Sequence, residues 1–253
     1  MQQLLLRGYV TPEDFTGNDT QRLQQALDTA RELDLRKVVL AGSYAAQTPL
    51  TVFPGLHLCI QKGACLKADL ESPLQTNYSF ALEWLCIDGG GRLEGNIRLF
   101  NCAHAVLQAL TVTGTVSLEY CRWVRMEDCA MGLLQLGKGC SECIFQRLSG
   151  PVVMDTALGC GKTVAGIEPS VRSVMLRNSR CDTDAPALTL RASEGAGFVN
   201  ILAEGLTAKD TAVSIGHSNM HLDPRHYWGL TLTNLDAPTT VCSRTPLVQS
   251  LVD

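Results

Sequence analysis

No apolar run in this sequence approaches the roughly 20 residues of a membrane-spanning helix, so no membrane partner is expected. Clustered basic charge is also missing. The 21 Lys and Arg are interspersed with 25 Asp and Glu, and the net charge is −4. That excludes the basic footprint of a nucleic-acid binder and a polybasic membrane patch. The opening MQQLLLRGYV has three consecutive Leu but no positively charged region ahead of them, so it does not read as a secretory signal. Hairpin turns of the Asn-Gly or Asp-Gly type are scarce. Strong helical periodicity is nearly absent after residue 34.

Cysteine, by contrast, is plentiful. Eleven Cys is an odd number, in a chain of 253 residues that is too long to need a disulfide framework. Scattered Cys flanked by apolar residues behaves as a small core hydrophobe in a reducing compartment. A cytoplasmic location is therefore expected, or a secreted one if a leader has been removed. Hydrophobic content of 45% and a charged fraction of 18% fit a globular domain.

The one strong helix is GNDTQRLQQALDTAR, residues 17 to 31. Asn18 or Asp19 can cap its first turn. Leu23, Ala26, Leu27, Ala30 and Leu33 recur at three- and four-residue steps and make one apolar stripe. The helix is expected over 18–34, with strands over 36–253. Those strands are three- to six-residue apolar bursts separated by Gly, Asn, Asp or Ser. Segments such as VLQALTVTG, VRMEDCAMG, CIFQRLSG and VMLRNSRCD align at steps of roughly 20 to 30 residues, the range of stacked repeats. Inward positions rich in Leu, Val, Ile, Ala and Cys suit a parallel sheet. The expectation is one all-β domain over 1–253, a right-handed parallel β-helix with an N-terminal capping helix.

Residues 11 to 69 resemble the start of pectate-lyase-like right-handed parallel β-helix proteins, a group that includes polygalacturonases and phage tailspikes. Asp19, Thr20, Leu23 and Gln24 match the family's opening helix. Val39, Ser43 and Tyr44 match the strand after it, with Ala41-Gly42 where Pro is usual. Leu56, Leu58, Gly63, Leu66 and Ala68 match the next coil.

The resemblance implies an activity and its residues. Inverting hydrolysis of a glycosidic bond needs one carboxylic acid and one carboxylate base spaced to admit a water. CDTDAPALTL resembles the family's Asn-Thr-Asp motif, with Asp182 in place of Asn and Asp184 at the acid position. TAKDTAVSIGHS resembles its paired Asp-Asp motif, with Lys209 replacing the first Asp and Asp210 keeping the second. A second register sets DTAVSIG against the family's Gly-His-Gly motif instead. Where that motif would otherwise follow stands DPRHYWG, offering Arg225 and His226. The implied catalytic residues are Asp184, Asp210 and Asp182. The implied substrate contacts are Lys209, His217, Arg225, His226 and Trp228. The expected partner is a polysaccharide or oligosaccharide, with no cofactor and no metal. The alternatives are a non-catalytic carbohydrate-binding β-helix and a structural, tailspike-like module that forms homo-oligomers.

Plainer readings stand beside these. Asp at a coil corner caps backbone N–H groups. HSNMHLDPRHYWG reads equally as a surface loop. His217, His221 and Asp223 within it have no helix to make their spacing meaningful for a metal. Cys140 and Cys143 imitate half a zinc site, but stacked Cys filling successive coils explains them better. GCGKT lacks the glycine spacing of a phosphate loop.

Overall fold

A computed structural model describes residues 2–76, 79–193, 195–217 and 224–241, with backbone alone at 2, 217 and 224. It is a parallel β-helix. The strands form a nine-stranded sheet and a twelve-stranded sheet, and all their ladders are parallel.

The larger sheet bends. Thr111–Glu119 pairs through Thr111 and Val112 with Arg92–Leu93, but through Val116 to Glu119 with Ile97–Phe100. Its two halves therefore lie on different faces, and each coil has three. The first face holds Lys37–Leu40, His57–Ile60, Cys86–Asp88 and their successors to Tyr227–Thr233. The second begins with Ser43–Ala45 and Cys65–Lys67. The third begins with Leu50–Thr51, Leu70–Glu71 and Ile97–Phe100.

Register makes the core. Ile97, Val116, Leu134, Val152, Leu188 and Val213 are successive partners on the third face, and all are buried. Leu58, Ile87, Leu107, Met126, Phe145 and Leu176 do the same on the first. Alternation along each short strand sends every second side chain inward, so like residues stack from coil to coil. The step is 19 residues from Val106 to Arg125 and from Arg125 to Ile144, and 31 from Ile144 to Met175. The long step carries an inserted loop. That variation is why the repeat is only loosely visible in the sequence.

Cys102, Cys121 and Cys140 form one such internal column, with Cys129, Cys143 and Cys181 buried elsewhere in the core. The filler reading of Cys140 and Cys143 holds. It does not extend to Cys59, Cys65 and Cys86, which are half-buried on outer faces, nor to exposed Cys160. All ten described cysteines are free.

Two helices precede the coils. α1 (Gln2–Arg7) is a short helix the sequence pattern did not reveal. α2 (Asp19–Glu32) is the expected one. Asn18 caps it: its side chain accepts the Gln21 N–H at 3.0 Å, and Gln21 Oε1 accepts the Asn18 N–H at 3.1 Å. Asp19 has another role. Its carboxylate accepts the Ala45 N–H at 3.0 Å and pairs with Arg22 at 2.6 Å, tying the helix to the second face. Leu23, Ala26, Leu27 and Ala30 are buried. Leu23 and Leu27 line one apolar space with Val38, Leu40 and Leu50 of the first coil and Leu58, Leu66 and Leu70 of the second. Burying each Leu contributes about 1.5–3 kcal/mol. The helix closes the end of the coil stack.

Candidate functional site

Two loops leave the corner between the third and first faces. One includes 72–76 and 79–81 and the other spans 156–170. They touch, because the Ala165 N–H donates to the Thr76 carbonyl at 3.3 Å. Asn101, buried below, donates from Nδ2 to the carbonyls of Gln75 and Ser79 at 3.0 and 2.9 Å. Phe100, Tyr120 and Val164 pack under the loops as a small separate core. Burial pushes the Tyr120 phenol upward in pKa. The loops thus form a hydrogen-bonded ridge along the corner.

The ridge walls a groove on the third face. Two adjoining clefts of about 380 and 410 Å³ share Arg98, Ser117, Glu119 and Cys160. Pro73, Leu74 and Leu158 give the wall its apolar part. The floor is one register row facing outward: Thr51, Glu71, Arg98, Ser117 and Gln135. These come from five strands, so the row spans about 20 Å at about 4.8 Å per strand. Arg98 pairs with Asp69 at 3.2 Å. The Glu119 carboxylate accepts the Cys160 N–H at 2.9 and 3.1 Å, which anchors the 156–170 loop to the floor. A third cleft, of about 350 Å³, lies on the other side of the ridge, lined by Arg122, Trp123, Glu142 and Arg172 among others.

The sequence-expected site residues lie further along the coils. Asp182 and Asp184 are in the connection from Arg180–Cys181 to Leu188–Ala192. Lys209 and Asp210 are in the next coil's matching connection, from Thr207–Ala208 to Val213–His217. The flanking strands pair directly, so the two Asp-bearing bends are neighbours at one corner. There the Lys209 ammonium donates to the Asp184 carboxylate at 2.5 Å. Asp182 lies 3.5 Å from Arg180. The Asp184 side chain is 80% exposed and that of Asp182 is 70% exposed.

Arg225 is exposed and His226 half-buried, both in a short 3-10 helix, Pro224–His226. Trp228 is 72% exposed on the first-face strand that follows. His217 ends Val213–His217, and its side chain lies outside the described residues, as do His221 and Asp223. Tyr227, between His226 and Trp228, is structural. Its hydroxyl donates to the Gly216 carbonyl and accepts the Ala192 N–H, and burial pushes its pKa up to about 12.

Sequence reasoning missed the groove and an aromatic column on the opposite side of the ridge. Trp84, His104 and Trp123 occupy one left-handed corner position in successive coils, with φ of 62°, 55° and 54°. Their rings stack, with centroids 4.1 and 4.7 Å apart. The spacing of 20 and 19 residues is the legible signal. Because the rings use their faces on one another, the column turns mainly edges outward.

No protein-family model matches the sequence, and no curated protein matches it. Solved structures do. One is an endo-xylogalacturonan hydrolase from Aspergillus tubingensis, with 11% identity and a TM-score of 0.58, covering 97% of this chain and 98% of that one. The chain has the pectin-lyase-like β-helix fold. A second structure with this fold is PfbA, a surface adhesin of Streptococcus pneumoniae, at 8% identity and a TM-score of 0.57, over 92% of this chain and 80% of that one. A third is the catalytic domain of a GH87 α-1,3-glucanase in complex with nigerose, at 8% identity and a TM-score of 0.50, over 97% and 67%. At these identities the likeness is one of fold. The pectin-lyase-like coil serves both hydrolases and an adhesin, so function must be argued from the side chains.

Proposed function

We propose that this protein binds a polysaccharide laid along the third-face groove. The observation that carries this is the outward row Thr51, Glu71, Arg98, Ser117 and Gln135, with one polar side chain on each coil and a rigid wall beside it. An extended, repeating, hydroxyl-rich chain meets such a row with hydrogen bonds at successive positions, while Leu74 and Leu158 cover apolar sugar faces. The groove's charge is unfavourable for a polyanion. Arg98 is outnumbered by Glu71 and Glu119 and already has Asp69 as its partner. The proposed ligand is therefore a mainly neutral polysaccharide. The xylogalacturonan hydrolase and the α-1,3-glucanase that share the fold support a carbohydrate partner as a class.

Hydrolysis is a second reading, favoured by one observation. Asp182, Asp184 and Asp210 lie in matching bends of neighbouring coils, where one sugar could meet both bends. In this reading Asp184 and Asp210 are the acid and base, Asp182 assists, and Lys209, His217, Arg225, His226 and Trp228 hold the sugar. Affinity electrophoresis through neutral and acidic polysaccharides, with a reducing-sugar assay on the same panel, tests both. Retardation by a neutral glycan without new reducing ends is expected. Retardation by none of them would overturn the binding proposal. Reducing ends that vanish in Asp184→Asn and Asp210→Asn would establish hydrolysis.

A further inference from the structure

The outer surface of the first face, away from the groove on the third, has a different chemistry. His57-Leu58-Cys59 and Cys86-Ile87-Asp88 lie on adjacent strands. They pair in register, His57 with Cys86, Leu58 with Ile87 and Cys59 with Asp88. The central residues, Leu58 and Ile87, are buried in the core. Alternation therefore turns His57, Cys59, Cys86 and Asp88 outward together, each half-buried. Four potential metal donors thus meet on a two-by-two patch of sheet.

Three of them converge. The donor atoms of His57, Cys86 and Asp88 all lie within 4.8 Å of one another. His57 Nε2 is 2.9 Å from Asp88 Oδ2, and Cys86 Sγ is 3.8 Å from the same oxygen. Cys59 adds a second sulfur beside them, held under the turn at Gly89, where a Cβ would come within 3.0 Å of Cys59 Sγ. We propose that His57, Cys86 and Asp88 bind one zinc-class divalent cation.

Donor chemistry selects the metal. One imidazole nitrogen, one thiolate and one carboxylate suit Zn²⁺, which takes N, S and O ligands at about 2.0–2.3 Å in a tetrahedron. Ca²⁺ and Mg²⁺ want oxygen donors alone. Donor atoms 2.9–4.8 Å apart need only side-chain rotation to close on one ion, because a rigid sheet already fixes the Cα positions. A simple His57–Asp88 ion pair accounts for two of these residues. It does not account for a thiol turned outward in register beside them, in a protein whose other cysteines mostly face the core.

The test uses the full chain, purified with reductant and stripped by a chelator. It is equilibrated with Zn²⁺ alone, desalted, and its metal content measured. Co²⁺ loaded in parallel reports thiolate ligation by its charge-transfer absorption. The expected result is about one Zn²⁺ per chain, with at least a tenfold weaker affinity in His57→Ala and in Cys86→Ser. Asp88→Asn keeps the carboxylate's shape and so controls for folding, and circular dichroism checks each variant. It too is expected to weaken binding at least tenfold. Wild-type protein that retains no Zn²⁺ would overturn the proposal. So would retention equal to wild type in all three folded variants, which would assign the metal to other thiols.

Discussion

Lys209 neutralises Asp184 across one coil step, ammonium to carboxylate at 2.5 Å. In one register of the resemblance to the polygalacturonase motif, Lys209 stands at the first Asp of a pair, and there it places a cation beside Asp184. Both side chains are largely exposed, so the pair is screened and contributes little to stability, about 0–1 kcal/mol. Asp184→Asn is expected to lower Tm by no more than about 4 °C for a chain of this size. A larger fall in a thermal melt would show that Asp184 supports the coil corner rather than decorating it.

The capping helix has a stronger energetic role. Leu27 on α2 is buried against the inward residues of the first two coils. Leu27→Ala is expected to cost about 2–5 kcal/mol by removing that burial and leaving a void. Leu27→Asp is expected to expose the coil end and cause aggregation, since an uncovered end offers apolar surface and unpaired strand edges. Denaturant unfolding and light scattering check the two. A Leu27→Asp protein that stays monodisperse and as stable as wild type would mean that the helix caps nothing.

Gly114 sits where the chain turns from the second face to the third. A Cβ there would lie 2.4 Å from the Gly95 carbonyl oxygen of the coil below. Backbone cannot give way as a side-chain tip can. Gly114→Ala is therefore expected to destabilise by about 1–3 kcal/mol, in the range of overpacked sites. Urea midpoints for this variant and for Gly63→Ala make the comparison. At Gly63 the space is open and only the positive φ opposes a side chain, so the smaller loss is expected there.

Acid should loosen the N-terminal cap. The Arg22 guanidinium and then the Ala45 N–H hold the Asp19 carboxyl below its ordinary range. A carboxylate with a lowered folded-state pKa contributes stability that is present above its unfolded value, near pH 4. That stability is lost as pH falls through the lowered folded value. Asp14 is lowered too, by Arg7 and the Thr11 N–H against an opposing burial effect. Amide-exchange protection in α2 and Ser43–Ala45 is expected to fall below about pH 4. Protection there that does not change with pH would contradict this.

Much of the architecture was legible in the sequence because it rests on local rules. The stripe of Leu23, Ala26, Leu27 and Ala30 identified a helix that needs a wide apolar partner, and short apolar bursts without hairpin turns identified parallel coils. The candidate groove was not legible. Thr51, Glu71, Arg98, Ser117 and Gln135 are 18 to 27 residues apart and share no motif. Only the ladder register puts them in one row, and unequal connections blur that register in the sequence. The Trp84–His104–Trp123 column has a nearly constant step, but its three aromatic residues are single and far apart, whereas HSNMHLDPRHYWG concentrates aromatic and polar residues in one stretch. The outward His57, Cys59, Cys86 and Asp88 were hidden for a related reason. A two-residue alternation says that His57 and Cys59 share a face, but not which strand lies beside them.

The most direct test of the binding account is a block in the groove floor. Ser117 is half-exposed in the middle of the row, flanked by Arg98 and Gln135. Ser117→Trp fills the groove from the outer side of a strand whose inward neighbours, Val116 and Leu118, are untouched. The measurement is the dissociation constant for the neutral polysaccharide that retards the wild type, together with Tm. The account predicts at least a tenfold loss of affinity, about 1.4 kcal/mol, at unchanged Tm. Equal affinity in the two proteins would place the carbohydrate elsewhere and contradict it.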